Sequence, residues 1–259
     1  MLSVTMVAGK EKQPRGGYVR PRDFSVIQLQ DDIELFETEN VSPIIIGLAV
    51  DYLTRVAMGS PKEKAFGISI EGANRAEQAG NENSAEKAND LLKRINGLDD
   101  ESITAACKIA TFDVWLRNPF GAALAKGEEE TNPDSQTISN IRTMVKRSVK
   151  FFEEYGPITQ DGFTFKPNGY SMKVSSGDGD FLTKDTMWDF KVSKNPIKSK
   201  HTLQLLMYWI MGQHSGNEIF KGITKIGFFN PRQNKIMLLD VNQIDKSIIE
   251  YVENEIIEY

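Results

Sequence analysis

The sequence predicts an α/β fold, and three observations carry the prediction. Residues 177–191 read as a β-hairpin: two short apolar runs flank the polar turn Thr183-Lys184-Asp185-Thr186. Residues 62–155 repeat apolar side chains at three- and four-residue spacing, the mark of helices packed on one face. A strongly apolar helix over about 199–213 then separates the hairpin from a second strand pair at 225–230 and 235–241.

Taken in order, residues 1–24 carry Lys10, Lys12, Arg15, Arg20 and Arg22 among prolines and glycines, with no periodic apolar face. The expectation is a basic, flexible arm that contacts phosphates or simply lies on the surface. Residues 25–259 are expected to form one domain, with 62–155 a helical subdomain. A short strand opens 25–40. Ser42-Pro43 starts a helix, serine as N-cap and proline at the first helical position. That helix runs to about Met58, where Gly59-Ser60-Pro61 stops it. Ile45, Leu48, Ala49, Tyr52, Leu53 and Val56 form its apolar stripe, and Asp51 lies off it. Helical segments follow near 65–80, 84–96, 101–117 and 135–155, broken at Asn96-Gly97, Asn118-Pro119 and Gly127 to Pro133. The last of them bears Arg142, Lys146, Arg147 and Lys150, a stripe for nucleic acid or a solvated face. Phe163 and Phe165, then Tyr170, Met172 and Val174, alternate with polar residues, so two strands are expected to lead into the hairpin as a meander. Ile244 to Tyr259 reads as a closing amphipathic helix.

The hairpin concentrates the chemistry. Side chains two apart on a strand share a face, so Asp189 and Lys191 project together while Trp188 and Phe190 point to the other side, toward a core. Asp180 returns beside Asp189 across the hairpin. Two carboxylates that close repel one another unless a divalent cation or a shared proton joins them. Lys194, Lys198 and Lys200 follow in the loop to the next helix. His201 and His214 lack a second histidine or cysteine at metal spacing, so no zinc site is expected, and His201 is expected at the surface.

Asp180 followed by Asp189-Phe190-Lys191 resembles the PD-(D/E)xK nuclease superfamily. Gln204 and Tyr208, one helical turn apart, resemble the Q-x-x-x-Y helix of its RecB-like exonuclease branch. Gly47-Leu48-Ala49-Val50-Asp51 resembles that branch's first helix, with Asp51 where the branch often has histidine. The resemblance covers about residues 42–59 and 160–245. It implies a restriction-endonuclease-like core, α-β-β-β-α-β, with a mixed central sheet flanked by helices and a large helical insertion. It implies a metal-dependent nuclease hydrolysing phosphodiester bonds in DNA, with RNA left open. Asp180, Asp189 and the Phe190 carbonyl would hold Mg²⁺ or Mn²⁺, with Asp51 a further candidate ligand. Lys191 would assist the attacking water, Gln204 would position substrate, and Tyr208, Lys194 and Lys198 would contact it. A helicase, a recombination protein or a phage or defence protein is the kind of partner such nucleases serve.

Composition bounds these readings. The 259 residues are 40% hydrophobic and 26% charged, ordinary for a globular protein, with a net charge of −5. That charge excludes a histone-like binder but leaves a local basic groove open. A single cysteine, Cys107, excludes an internal disulfide and a four-cysteine iron–sulfur cluster within one chain. No G-x-G-x-x-G or P-loop is present, so no nucleotide cofactor is expected. No apolar run reaches membrane-spanning length and no leader pattern opens the chain, so a cytoplasmic protein without membrane association is expected. The alternative to an enzyme is a nuclease-fold module that binds nucleic acid or a protein partner without cutting, and Asp51 in place of histidine favours it.

Overall fold

A computed structural model describes residues 2–122 and 124–259. Along the chain run β1 (Leu2–Ser3), α1 (Val4–Lys10), β2 (Ser25–Gln28), α2 (Pro43–Ala57), α3 (Lys62–Ala65), α4 (Gly67–Gln78), α5 (Ser84–Arg94), α6 (Asp100–Ala110), α7 (Asp113–Arg117), α8 (Pro119–Ala122) and α9 (Ser135–Tyr155). There follow β3 (Gln160–Thr164), β4 (Val174–Ser176), β5 (Asp178–Leu182), β6 (Thr186–Phe190), α10 (Ser199–His214), β7 (Lys225–Asn230), β8 (Lys235–Asp240) and α11 (Lys246–Tyr251), with a π-helical turn at Val252–Ile257. The protein is an α/β fold with a mixed six-stranded sheet and flanking helices.

The expected single domain divides into two compact units. One comprises residues up to Gln30 together with Phe152–Tyr259, and the other is Asp31–Phe151. The helical unit therefore begins well before residue 62 and includes α2. Its own buried set, with Ile46, Val50, Leu53, Phe66, Ile103 and Ile141, explains why it closes separately. Ser42 caps α2 through the Ile44 N–H, with Pro43 next, as the sequence predicts.

In the sheet unit the strand order is β2-β8-β7-β6-β5-β3. Only β6 and β7 are parallel; every other neighbouring pair is antiparallel. α10 makes the long crossover that a parallel pair requires. Both sheet faces are covered. Leu182, Met187, Ile226 and Phe228 join Leu203, Leu206, Met207 and Met211 of α10 in one core. On the other face Phe181 meets Phe152 and Phe190, Phe190 meets Phe229, and Trp188 meets Tyr155 edge-on. Near-continuous burial of a central strand is the usual consequence of helices on both sides.

Three expectations are corrected. Residues 2–10 are not a flexible arm: Val4, Val7 and Ala8 of α1 are buried, and Ser3 caps the helix. The apolar spacing there is too short to stand out in sequence, and it becomes a core only by packing on the rest of this unit. The segment Tyr170–Val174 is not a meander strand. Only Val174–Ser176 is extended, and it pairs in parallel with β1 in a separate two-stranded sheet. Its partner lies at the far end of the chain, outside any local pattern. The basic stripe on α9 is half committed internally: Arg147 forms a bidentate pair with Asp31, and Arg142 is bonded to the Leu98 carbonyl and Asp100. No helix among the described residues is long and apolar enough to cross a membrane.

Candidate metal and phosphodiester site

The hairpin β5–β6 closes as predicted, with Thr183 N–H donating to the Thr186 carbonyl at 3.0 Å. Its register pairs Phe181 with Trp188 and Leu182 with Met187. The ladder ends there: Asp180 and Asp189 are the next residues on the two strands, and the Phe190 N–H, which would continue the pairing, bonds to the Asp180 side chain instead. Gly179 is required where β5 meets β3, because a Cβ there would overlap the ring of Phe163 on the paired strand. This close approach sets the position of Asp180 next to it.

Asp180 and Asp189 are held differently. Asp180 Oδ2 accepts the Phe190 backbone N–H at 2.8 Å. Asp189 is 4% exposed. Its Oδ1 accepts a hydrogen bond from Lys191 Nζ at 3.0 Å. Its Oδ2 lies 2.8 Å from the same ammonium, but at an angle that makes no hydrogen bond, and it is the one buried side-chain polar atom without such a partner among the described residues. Burial works against the Lys191 ammonium, yet the carboxylates of Asp189 and Asp180 outweigh it and raise its pKa above the ordinary lysine value. Phe190 sits between the pair in the parallel ladder with Phe229, and Lys191 N–H donates to the Phe229 carbonyl at 3.0 Å. The face carrying Asp189 is therefore not open to solvent as a two-sided strand pattern implies. Met187 on that face is fully buried under α10.

α10 brings three side chains to the same region at spacings of three and four residues. Gln204 donates to the Tyr208 hydroxyl at 3.0 Å and to Thr5 Oγ1 of α1 at 3.3 Å. Tyr208 is buried and stacked on Phe165. Burial raises its phenol pKa, the Gln204 bond opposes this, and Asp189, Asp180 and Asp178 add to the rise. His201, expected at the surface, is half buried. Its Nδ1 accepts the Lys198 backbone N–H at 3.1 Å. Burial first, and Lys191 next, push its pKa down to about 4. The ring is thus neutral at pH 7, with its proton on Nε2. The spacing His201, Gln204, Tyr208 places all three on one helical face, a signal legible in the sequence. Thr5 gave no such signal.

Three other predicted residues have surroundings of their own. Asp51 belongs to the helical unit, where Arg55 Nε donates to it at 2.9 Å as an i,i+4 pair. Lys194 and Lys198 are exposed on the loop after β6. That loop is not a free connector. Gln233 Nε2 donates to the carbonyls of Ser193, Lys194 and Asn195, each at 3.2 Å, and Asn230 donates to Ser193 at 2.8 Å.

The donor set suits a hard divalent cation. Among the described residues no group of three or more His, Cys, Asp or Glu side chains is placed to hold a metal. Two neighbouring aspartates, one with an orphaned buried oxygen, match Mg²⁺, which takes one or two carboxylates and fills its remaining positions with water and substrate phosphate. None of the cluster's residues lines the cavities of about 620, 550 and 500 Å³ found elsewhere. No family model, no curated protein and no solved structure matches this chain.

Proposed function

We propose that the protein is a metal-dependent nuclease that hydrolyses phosphodiester bonds in DNA. The observation that carries the proposal is the convergence of Asp180, Asp189 and Lys191 on one hairpin, with a buried Asp189 oxygen left without a hydrogen bond. That oxygen has the Lys191 ammonium at 2.8 Å and no hydrogen bond, which leaves it lone pairs for a further cationic partner. The strand sequence also supports the reading: β3, β5 and β6 run antiparallel, α10 crosses over, and β7 returns parallel to β6. A restriction-endonuclease-like core would have this order, with the last turn of α9 taking the place the resemblance gave to α2.

In this reading Asp180 and Asp189 would hold Mg²⁺ or Mn²⁺, and the Phe190 carbonyl would be a further ligand. When bound, the ion supplies hydroxide near neutral pH and neutralises charge on the phosphate. Lys191 turns from Asp189 to the phosphate oxygens and stabilises the charge that builds there. Gln204, anchored by Tyr208 and Thr5, positions the substrate strand. The test is cleavage of linear, circular and single-stranded DNA with Mg²⁺ or Mn²⁺, using Asp189→Ala and Lys191→Ala as controls. Equal cleavage by the wild type and both variants defeats the proposal.

A second reading rests on the Lys191–Asp189 pair itself. The ammonium already sits beside both carboxylate oxygens, where it takes up the charge that a metal ion would neutralise in an active nuclease, as a module that binds without cutting would allow. Calorimetric titration with Mn²⁺ separates the two. Saturable binding lost in Asp189→Asn favours the enzyme, and no binding favours the module.

A further inference from the structure

Two basic segments distant in sequence are joined by the fold. Residues 10–22 carry Lys10, Lys12, Arg15, Arg20 and Arg22 against the single acid Glu11. Residues 191–200 carry Lys191, Lys194, Lys198 and Lys200 and no acid. In a chain with 36 acidic and 31 basic residues, both are local reversals of sign.

The join is made at the first turn of α10. Gly17 has φ +102°, and a Cβ there would stand 2.6 Å from the Ser199 Cβ, so only glycine lets the N-terminal segment lie against this turn. Two residues on, the Val19 carbonyl accepts the Thr202 hydroxyl in a buried hydrogen bond. Lys198 and Lys200 flank Ser199, and both act electrostatically on His201, as do Lys191 and Asp189. Arg20 is committed to Asp23, at 3.1 Å. Arg15, Lys198 and Lys200 are exposed, and no ion pair to an acid is found for them among the described residues. Arg15 stands two residues before Gly17, and Lys198 and Lys200 stand on either side of Ser199, so the Gly17–Ser199 approach brings the three positions to one stretch of surface; Arg15 also borders a cavity that Asp23 and Asp245 line.

We infer that this joined surface, with Arg15 on the N-terminal strap and Lys198 and Lys200 at the start of α10, is the bed for the phosphodiester backbone of a polynucleotide running to the Asp180–Asp189 cluster. The inference rests on the nuclease reading for its direction, and to Lys198 it adds Arg15 and Lys200 as residues that grip phosphates flanking the one cut. Surface cations neutralising backbone phosphates release counterions, and the salt dependence of binding counts them. A strap pinned by Gly17 presents Arg15 at little ordering cost when the strand binds.

The experiment measures fluorescence anisotropy of a labelled single-stranded and a duplex oligonucleotide in EDTA, from 50 to 300 mM salt, so that no cutting intervenes. The expected result is that Arg15→Ala/Lys198→Ala/Lys200→Ala weakens binding at least about tenfold and lowers the salt slope by about 2–3, near 0.7–0.9 per lost contact. The charge-keeping Arg15→Lys/Lys198→Arg/Lys200→Arg restores the wild-type slope. The double variant Lys184→Ala/Lys221→Ala, at the hairpin turn and the loop before β7, leaves it unchanged. Wild-type affinity and slope in the triple alanine variant, with an unchanged melting temperature, overturn the inference. So does an oligonucleotide that fails to bind the wild type at 50 mM salt. Hydrolysis of bis(p-nitrophenyl) phosphate with Mn²⁺ reports the metal site without the track. Track failure with that hydrolysis intact leaves the catalytic reading standing, and the reverse outcome removes the catalysis while keeping the binding surface.

Discussion

Each unit buries one aspartate, and the two are treated in opposite ways. In the helical unit Asp113 is 1% exposed and surrounded by donors. The Tyr52 hydroxyl donates at 2.6 Å, the Ser69 hydroxyl at 2.5 Å and Arg117 Nε at 3.3 Å. Burial raises its pKa, opposed by those three partners. In the sheet unit Asp189 is nearly as buried but has one lysine and an orphaned oxygen. A carboxylate that only ties a fold together is enclosed by donors from its own unit. On the nuclease reading proposed above, one left short of them beside a second carboxylate is where a cation from outside would bind. The difference lies in what surrounds the side chain, since the residue type and the depth are the same.

The comparison breaks most readily at catalysis. Asp189→Ala and Lys191→Ala are each expected to cut DNA cleavage with Mg²⁺ on the order of 10²–10³-fold, as loss of transition-state charge stabilisation does. Asp189→Asn should leave the urea midpoint close to wild type. Unfolding of Asp189→Asn at much lower urea would make Asp189 another Asp113. The mirror variant, Asp113→Ala, should lower unfolding free energy by about 2–3 kcal/mol, because Tyr52 and Ser69 lose a charged acceptor. Its cleavage rate per folded molecule should stay at the wild-type level. Urea titration with activity measured below the transition reads both.

Gly179→Ala sharpens the contrast from the side of packing. The new methyl meets the Phe163 ring, costs about 1–3 kcal/mol as overpacking does, and shifts Asp180 with its strand. Stability and Mn²⁺ affinity should therefore fall together, whereas in Asp113→Ala only stability falls. The smallest effect is a pH dependence. Arg147 holds the Asp31 carboxyl below its ordinary value of 3.8. A carboxyl depressed in the folded state adds stability above its unfolded pKa and loses it as pH falls through the folded one. Unfolding free energy should drop as pH is lowered from about 5 through the ordinary carboxylate range. Arg147→Met should remove that part of the acid dependence.

Much of the local structure was legible. The α2 start, the hairpin at 177–191, the strand pair at 225–240 and α10 follow from capping chemistry and apolar periodicity, which act over a few residues. The Gln204–Tyr208 pair and the meeting of Asp180 with the Asp189–Phe190 strand are local in the same sense: one is a helical turn, the other a short hairpin. His201 was misjudged although its spacing to Gln204 was on the page, because a lone histidine gives no sign of what packs over it. The N-terminal strap was misread because its reasons for order, Ser199 and Thr202, lie some 180 residues away.

The sequence by itself determined the start of α2, the hairpin at 177–191, α10 and the strand pair at 225–240, and that an acid and a lysine share a strand face. Those outcomes depend on bond rotations and side-chain periods that each short segment carries alone. Only the tertiary structure decided that the same face would be covered by α10, that Asp189 would be buried one donor short, and that the first twenty residues would lie against the start of that helix. Burial and long-range contact are properties of what packs on a residue, and that partner is chosen by the whole chain at once.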